Sequence, residues 1–162
     1  MKHLIKKILI LVVLCMTTIE VGHAQESSKV EIKVNELVKK YENVKGVDCM
    51  SVTKGLGLSM VKMMFNKQFG KEFMKGVTSI SIIDYSDAPQ STCMALRKEL
   101  DAFVSLLQEY KIGKDKELSK NDYLRSFAKI IDSSTISDFV VAVENKESKV
   151  IMYMAGKIKV EK

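Results

Sequence analysis

The stretch SDFVVAVENKESKVIMYMA, residues 137–155, decides the fold, because the β-forming residues of the chain are densest there. Phe139 to Val143 and Val150 to Met154 are two apolar runs, and the charged segment Glu144 to Lys149 separates them, which predicts a β-hairpin. Leu124 to Ile131 predicts a further strand before the hairpin. The C-terminal part of the chain is therefore expected to form an antiparallel sheet.

The residues before these strands predict a helix, a strand, a helix, a strand and a helix. The first helix ends near Asn43, and the last follows an acidic N-cap at Asp87, has Pro89 in its first turn and ends at Gly113. The two strands are Val47 to Thr53 and Val77 to Ile83. This order predicts one α+β domain, a two-layer sandwich of about five mostly antiparallel strands with three main helices.

Both faces of the predicted hairpin are apolar. A strand that is covered on one side only shows a polar second face, so we expect both sides to be covered. A subunit partner is one candidate for the cover, and a helix of the same chain is the other. The first alternative predicts an interaction face made of Val140, Ala142, Ile151 and Tyr153.

Residues 1–24 have the pattern of a cleaved signal peptide. A positive n-region with three lysines precedes an apolar run, and Gly22-His23-Ala24 supplies the small residues that a signal peptidase needs. A lipid anchor at Cys15 is not expected, because Leu14 is bulky where lipoprotein signals carry a small residue. The pattern predicts that residues 25–162 are exported as a single α+β domain that is soluble after cleavage.

Removal of this leader changes the composition that matters for chemistry. Both histidines, His3 and His23, leave with it, and the loss of three lysines and one glutamate lowers the net charge from +6 to about +4. So weak and dispersed a charge does not indicate a nucleic-acid partner. Without imidazole, the mature domain lacks the usual Ser-His or Cys-His catalytic pair and a histidine zinc site.

The order of elements resembles a known family. The segments that carry the resemblance are KYENVKGV at residues 40–47, a Gly-containing turn into a Met-rich helix, SISIIDYS at residues 79–86, a long helix, and a valine-rich hairpin running into MAGKIKVEK at residues 154–162. Together they resemble the domain of unknown function 4252 family, small exported proteins typical of Bacteroidetes. The resemblance implies the periplasm or cell envelope of a Gram-negative bacterium, and it implies no activity and no site residue.

Two sequence patterns are compatible with an enzymatic function. Ser59 and Lys62 have the S-x-x-K spacing of penicillin-recognising enzymes, but the companion motifs of those enzymes are missing. Asp84 and Asp87, with Glu109 or Asp122 nearby, could supply paired carboxylates to a small hydrolase of an envelope polymer. A polar helix face and a helix cap are the simpler interpretations of these residues.

Methionine is unusually abundant, with 10 residues in the chain. Met60, Met63 and Met64 lie one turn apart on the second predicted helix, and thioethers are ligands that Cu(I) accepts. Copper(I) handling would require all three side chains to point outward together. The competing interpretation is that they fill the core beside Val61, since buried methionines at helical spacing are common. We expect no resident cofactor.

The two cysteines outside the leader, Cys49 and Cys93, also allow two interpretations. An even pair in an oxidising compartment could form a disulfide. Two buried thiols that behave as small apolar residues explain the pair equally well. The chain has no C-x-x-C motif, so thiol oxidoreductase chemistry is not expected.

Lysines recur about every four residues from Lys62 through Lys67 and Lys71 to Lys75. This spacing predicts either a solvated helix face or a basic strip toward anionic lipid or polysaccharide.

Taken together, these features predict an exported, non-enzymatic binding module. Its expected partner is another envelope protein or a second copy in a homodimer, and contact with the membrane is expected only through the signal peptide during export. A small hydrolase and a copper(I)-handling protein are the alternatives.

Overall fold

The computed structural model describes residues 28–109 and 123–160. Four helices lie in this part of the chain: α1 (Lys29–Tyr41), α2 (Gly55–Phe69), α3 (Lys71–Lys75) and α4 (Gln90–Val104). The strands are β1 (Asp48–Val52), β2 (Val77–Asp84), β3 (Gln108–Glu109), β4 (Tyr123–Asp132), β5 (Thr135–Glu144), β6 (Lys149–Gly156) and β7 (Ile158–Lys159).

All described strands belong to one sheet in the order β1-β2-β6-β5-β4-β3, and β7 pairs with the beginning of β5. Each of these pairings is antiparallel. The hairpin of β5 and β6 lies at the centre of the sheet, with Glu144 opposite Lys149 next to the turn and Val140 opposite Tyr153 further along. The apolar runs on which the prediction rested therefore form the two central strands.

Helices cover both faces of this sheet. On one face, α1 and α4 pack over strand residues such as Ile83, Val140 and Tyr153. On the other face, α2 and α3 pack through Val61 and Met74 over a second set of apolar side chains from the same strands. Because successive residues of a strand point to opposite faces, a strand buried on both sides must be apolar throughout, and this accounts for the continuous apolar runs of β5 and β6.

The α+β class and the predominantly antiparallel sheet are confirmed, and the strand count is slightly higher than the predicted five. The predicted two-layer sandwich has its helices mainly on one face of the sheet, so the arrangement of layers differs from the prediction. The predicted acidic cap is wrong, because Pro89 occupies the N-cap position of α4 and makes no side-chain cap hydrogen bond. Helix α4 ends at Val104, well before the predicted end at Gly113, and this prediction is wrong. The connection from Lys111 to Asn121 and residues 1–24 lie outside the described residues.

Two glycines allow α3 and the end of β6 to approach each other closely. A Cβ atom on Gly156 would overlap the carbonyl oxygen of Gly76, and a Cβ atom on Gly76 would overlap the carbonyl oxygen of Lys157. Gly156 also has a φ of +134°, which side chains other than glycine rarely adopt. This contact fixes the end of the sheet against the segment that follows α3.

Candidate functional site

The predicted interaction face on the hairpin is buried inside the chain. Val140, Ala142, Ile151 and Tyr153 are each at most 2% exposed, and they pack beneath α1 and α4. The assignment of these residues to an interaction face is corrected accordingly. Of the two covers that the sequence left open, a helix of the same chain is the one present.

An exposed apolar surface occurs instead on α2. The inner side of this helix packs on the sheet through Val61, which is fully buried, with Leu58 and Phe65 beside it. Leu56 and Met63 are 81% and 67% exposed on the other side, and the half-buried Met60 lies between them in the sequence. Spacings of four and three residues place these three side chains in one row along a helix. We call Leu56, Met60 and Met63 the outer face of α2.

The charged residues from Lys54 to Lys71 are all positive, and the exposed Glu72 follows directly after them. No aspartate or glutamate occurs between Thr53 and Lys71. Lys67 follows Met63 by four residues and continues the same row, while Lys54 and Lys71 lie at the two ends of the helix, and all three are exposed. Lys62 is half-buried, and this burial lowers the pKa of its ammonium group.

The methionines named as copper candidates are only partly gathered on this surface. Met63 is exposed and Met64 is 38% exposed, while Met60 is half-buried. A Cu(I) ion at this position would lie among lysines and would have no nearby carboxylate from residues 53–71 to balance its charge. In the described part of the chain, moreover, no group of three or more His, Cys, Asp or Glu side chains could hold a metal ion.

Cys49 and Cys93 are free thiols, so the disulfide alternative does not describe this structure. Cys93 is fully buried in the core under α4, and the half-buried Cys49 packs against the same cluster. Burial, followed by the charges of Glu42 and Asp48, raises the pKa of the Cys49 thiol to about 11. This shift disfavours the thiolate that reactive cysteines require.

The serine and lysine of the S-x-x-K pattern have separate partners. The Ser59 hydroxyl donates to the carbonyl oxygen of Gly55 at 3.3 Å, one helical turn earlier. The Lys62 ammonium donates to the carbonyl oxygen of Lys75 at 3.3 Å. These contacts give both residues a structural role on the surface of α2.

The acidic residues that were candidates for hydrolysis are not gathered into a cleft. Asp84 accepts hydrogen bonds from the backbone N–H and the hydroxyl of Ser86, at 3.0 and 2.6 Å, and so holds the turn after β2. Glu109 is exposed on the short strand β3, and Asp122 lies outside the described residues. A shallow groove of about 300 Å³ between α1 and α4 contains Glu36 and Glu99, and Glu99 forms an exposed ion pair with Lys40.

A buried carboxylate that the sequence did not reveal lies under the beginning of α1. Asp138 is 5% exposed and accepts hydrogen bonds from the hydroxyls of Tyr153, at 2.7 Å, and Ser28, at 2.5 Å. Ser28 is also the N-cap of α1 and accepts from the backbone N–H of Glu31 at 3.0 Å. Burial, followed by the charge and hydrogen bond of Asp138, raises the pKa of Tyr153. The cluster therefore fastens α1 to the sheet.

Asp138 occupies an irregularity in β5. Two residues, Asp138 and Phe139, stand opposite the single residue Ala128 of β4, which is a β-bulge. The φ of Asp138 is +50°, a conformation that aspartate tolerates better than most residues. The bulge turns its carboxylate toward Ser28 and Tyr153.

A second buried carboxylate belongs to Glu144 at the end of β5. Its Oε2 atom accepts from Nε of Arg97 at 2.6 Å, and this hydrogen bond raises the pKa of the guanidinium group. Its buried Oε1 atom has no hydrogen-bond partner among the described residues. The nearby ammonium of Lys149, the residue opposite Glu144, donates to Sγ of Cys93 at 3.3 Å. This group links α4 to the β5-β6 turn.

Sequence reasoning missed the outer face of α2 because it placed Met60 and Met63 beside a buried stripe and left out Leu56. The sequence did contain an indication of this exposed face. The helix carries apolar residues on two opposite sides, whereas a surface helix with one buried face has a polar opposite side.

Comparison with protein-family models, with curated proteins and with solved structures gives no match to this chain. The resemblance to the domain of unknown function 4252 family therefore stays a prediction. Among the described helices, none combines the length and the apolar character that a bilayer-spanning helix needs.

Proposed function

We propose that the chain is an exported, non-enzymatic binding module that attaches to another component of the cell envelope through the outer face of α2. The observation that carries this proposal is the pair of strongly exposed side chains, Leu56 and Met63, on a helix whose inner side already packs on the sheet. Exposed apolar residues in a contiguous row mark interaction surfaces more often than isolated ones do.

The buried and half-buried carboxylates support a structural rather than a catalytic use. Asp138, Glu144 and Asp84 each accept a hydrogen bond that fastens a helix or a turn. Acid and base catalysis by two carboxyls needs both groups in one site that a substrate can enter. A small hydrolase is therefore the weaker candidate.

Copper(I) handling is supported by one observation, the exposure of Met63 and Met64. The lysines on the same helix oppose it, because they raise the electrostatic cost of placing a cation there. Titration of the purified chain with Cu(I) tests this second candidate, and binding stronger than roughly micromolar that is lost in Met63→Leu would support it.

Thiol protection in cells with permeabilised outer layers tests the main proposal. The chain is exported with Cys49→Ser and Cys93→Ala, and with Met63→Cys as the only reactive thiol outside the leader. If the outer face of α2 is occupied, a membrane-impermeant maleimide modifies Cys at position 63 much more slowly in cells with permeabilised outer layers than in the purified chain. Met94 is 61% exposed on α4, so Met94→Cys is the matched control and should react equally fast in both settings. Equal reactivity at position 63 in the two settings would refute the proposal.

A further inference from the structure

The chemistry of the outer face of α2 indicates what occupies it, provided that this face is the contact surface proposed above. Leu56, Met60 and Met63 form an apolar row on a convex helix surface, and Lys67 ends the row. Lys54 and Lys71 stand at the two ends of the helix. Apolar side chains flanked by lysines on a helix surface are typical of helices that lie in the interface of an anionic membrane.

A protein partner fits this pattern less well. The two methionines of this row are common in the buried centres of protein interfaces, but such centres are also enriched in aromatic residues and arginine, which the row lacks, and they are depleted in lysine. The apolar row from Leu56 to Met63 is also short, about 10 Å at 1.5 Å per residue, whereas a stable protein interface uses roughly 20 residues on each side.

A second copy of the chain fits less well for an electrostatic reason. Two α2 helices in contact would bring Lys67 and Lys71 of each copy together without an acidic residue between positions 53 and 71. Like charges in contact oppose association, whereas phosphate headgroups supply the missing negative charge.

We infer that the outer face of α2 docks on an anionic lipid surface, with Leu56 and Met63 entering the boundary between headgroups and acyl chains and with Lys67 and Lys71 contacting lipid phosphates. Each lysine near such a surface strengthens binding by roughly fivefold, and the apolar side chains add to this. Docking is therefore reversible, and it weakens as salt screens the charges.

A tryptophan reporter tests this inference, because the chain contains no tryptophan of its own. Leu56→Trp is placed in the exported chain after removal of the leader, and its fluorescence is recorded with vesicles of phosphatidylglycerol and phosphatidylcholine in equal parts. The emission should shift to shorter wavelength and be quenched by brominated acyl chains. Vesicles of phosphatidylcholine alone should produce neither change. The control Met94→Trp, on α4, should respond to neither vesicle.

Charge and apolar variants of the otherwise unchanged chain provide a second test by cosedimentation with the same vesicles. Met63→Asp and Lys67→Glu should each weaken binding by roughly tenfold, while Met94→Asp and Lys98→Glu on α4 should leave it unchanged. Circular dichroism and thermal unfolding show whether each variant keeps its fold.

Absence of vesicle binding by the unmodified chain, or a tryptophan at position 56 that stays in water, would overturn the inference. Equal weakening by the α4 variants would also overturn it. If any of these results were found while position 63 was protected in permeabilised cells, the binding-module proposal would stand. The occupant of the outer face of α2 would then be a protein. If position 63 were unprotected in cells, the proposed function itself would fail.

Discussion

Asp138 is the single residue on which the most structure depends. It bends β5 through a bulge, and its carboxylate accepts hydrogen bonds from the hydroxyls of both Ser28 and Tyr153. A buried carboxylate is costly to desolvate, so its retention requires these partners. The carboxylate thereby connects the N-cap of α1 to the central hairpin.

Three substitutions at Asp138 separate its hydrogen bonds from its backbone conformation. Asp138→Ala should destabilise the chain by about 2–4 kcal/mol, because it leaves the hydroxyls of Tyr153 and Ser28 without their acceptor and because alanine tolerates a positive φ less well than aspartate. Asp138→Gly should destabilise the chain by about 1 kcal/mol less than Asp138→Ala, because glycine adopts that φ without strain. Asp138→Asn keeps one acceptor oxygen and should cost the least. Urea unfolding measures the order, and equal losses in all three variants would contradict this account.

Tyr153 makes stability depend on alkaline pH. Its pKa in the folded chain is raised, mainly by burial, whereas an unfolded tyrosine ionises at about 10. Above about pH 10 the unfolded chain loses the phenolic proton and the folded chain keeps it, so the free energy of unfolding falls as pH rises. The contribution of the raised Tyr153 pKa to the free energy of unfolding is fully present below about pH 10.

Tyr153→Phe tests this pH dependence. The variant should be less stable than the unmodified chain by roughly 1–2 kcal/mol near neutral pH, because Asp138 loses a donor. That difference should shrink as the pH is raised above about 10, since phenylalanine has no proton to lose. Denaturant unfolding at a series of pH values measures it. A difference that stayed constant, or that grew, would show that Tyr153 ionises as readily in the folded chain as in the unfolded one.

At the scale of elements, α2 has two apolar sides with different roles. Val61 on the inner side contributes to the core, and the outer face lies in solvent. The same division explains why the helix and the burial of Val61 could be predicted while the exposure of Leu56 and Met63 could not: apolar spacing defines a packed side only where the opposite side is polar. The packing of Phe69 and Phe73 against Phe139 of β5 decides the orientation, and this contact joins residues far apart in the sequence.

The close approach of α3 to the end of β6 gives a prediction about glycine. Gly156→Ala should destabilise the chain by about 3 kcal/mol or more, because the added methyl group meets the backbone of Gly76 and the φ is unfavourable. Gly55→Ala is the matched control, since Gly55 also has a positive φ, of +71°, but has no atom within 4 Å of the added Cβ. Gly55→Ala should lower the free energy of unfolding by only about 1 kcal/mol, because of backbone strain. Thermal unfolding compares the two variants. Similar losses of stability would mean that the contact with the backbone of Gly76 is unimportant.

At the scale of the molecule, the strands were predictable and the layers were not. β-branched runs located β2, β5 and β6, and the turn between Glu144 and Lys149 was evident from its charge. The same runs showed that both sheet faces are covered, but composition could not distinguish a helix of this chain from a partner. The helices of one chain can pack on either face without any change in their own pattern, so the division between α1 with α4 and α2 with α3 emerges only in three dimensions.

The candidate site was less predictable than the fold for the same reason. The sequence directed attention to Val140 and Tyr153, which are apolar and buried, and it interpreted Asp87 as a cap although Pro89 holds that position. The exposed row on α2 depends on which side of the helix faces the sheet. The lysines on that helix were visible in the sequence, but their relation to Leu56 and Met63 was not.

Retention of the purified chain on isolated cell envelopes tests most directly whether the outer face of α2 is the contact surface. The account predicts that the unmodified chain and the Met94→Asp variant sediment with washed envelopes, while Met63→Asp is released into the soluble fraction with its fold intact. Met63→Asp that stays on the envelopes as completely as the unmodified chain would contradict the claim that the outer face of α2 is the contact surface.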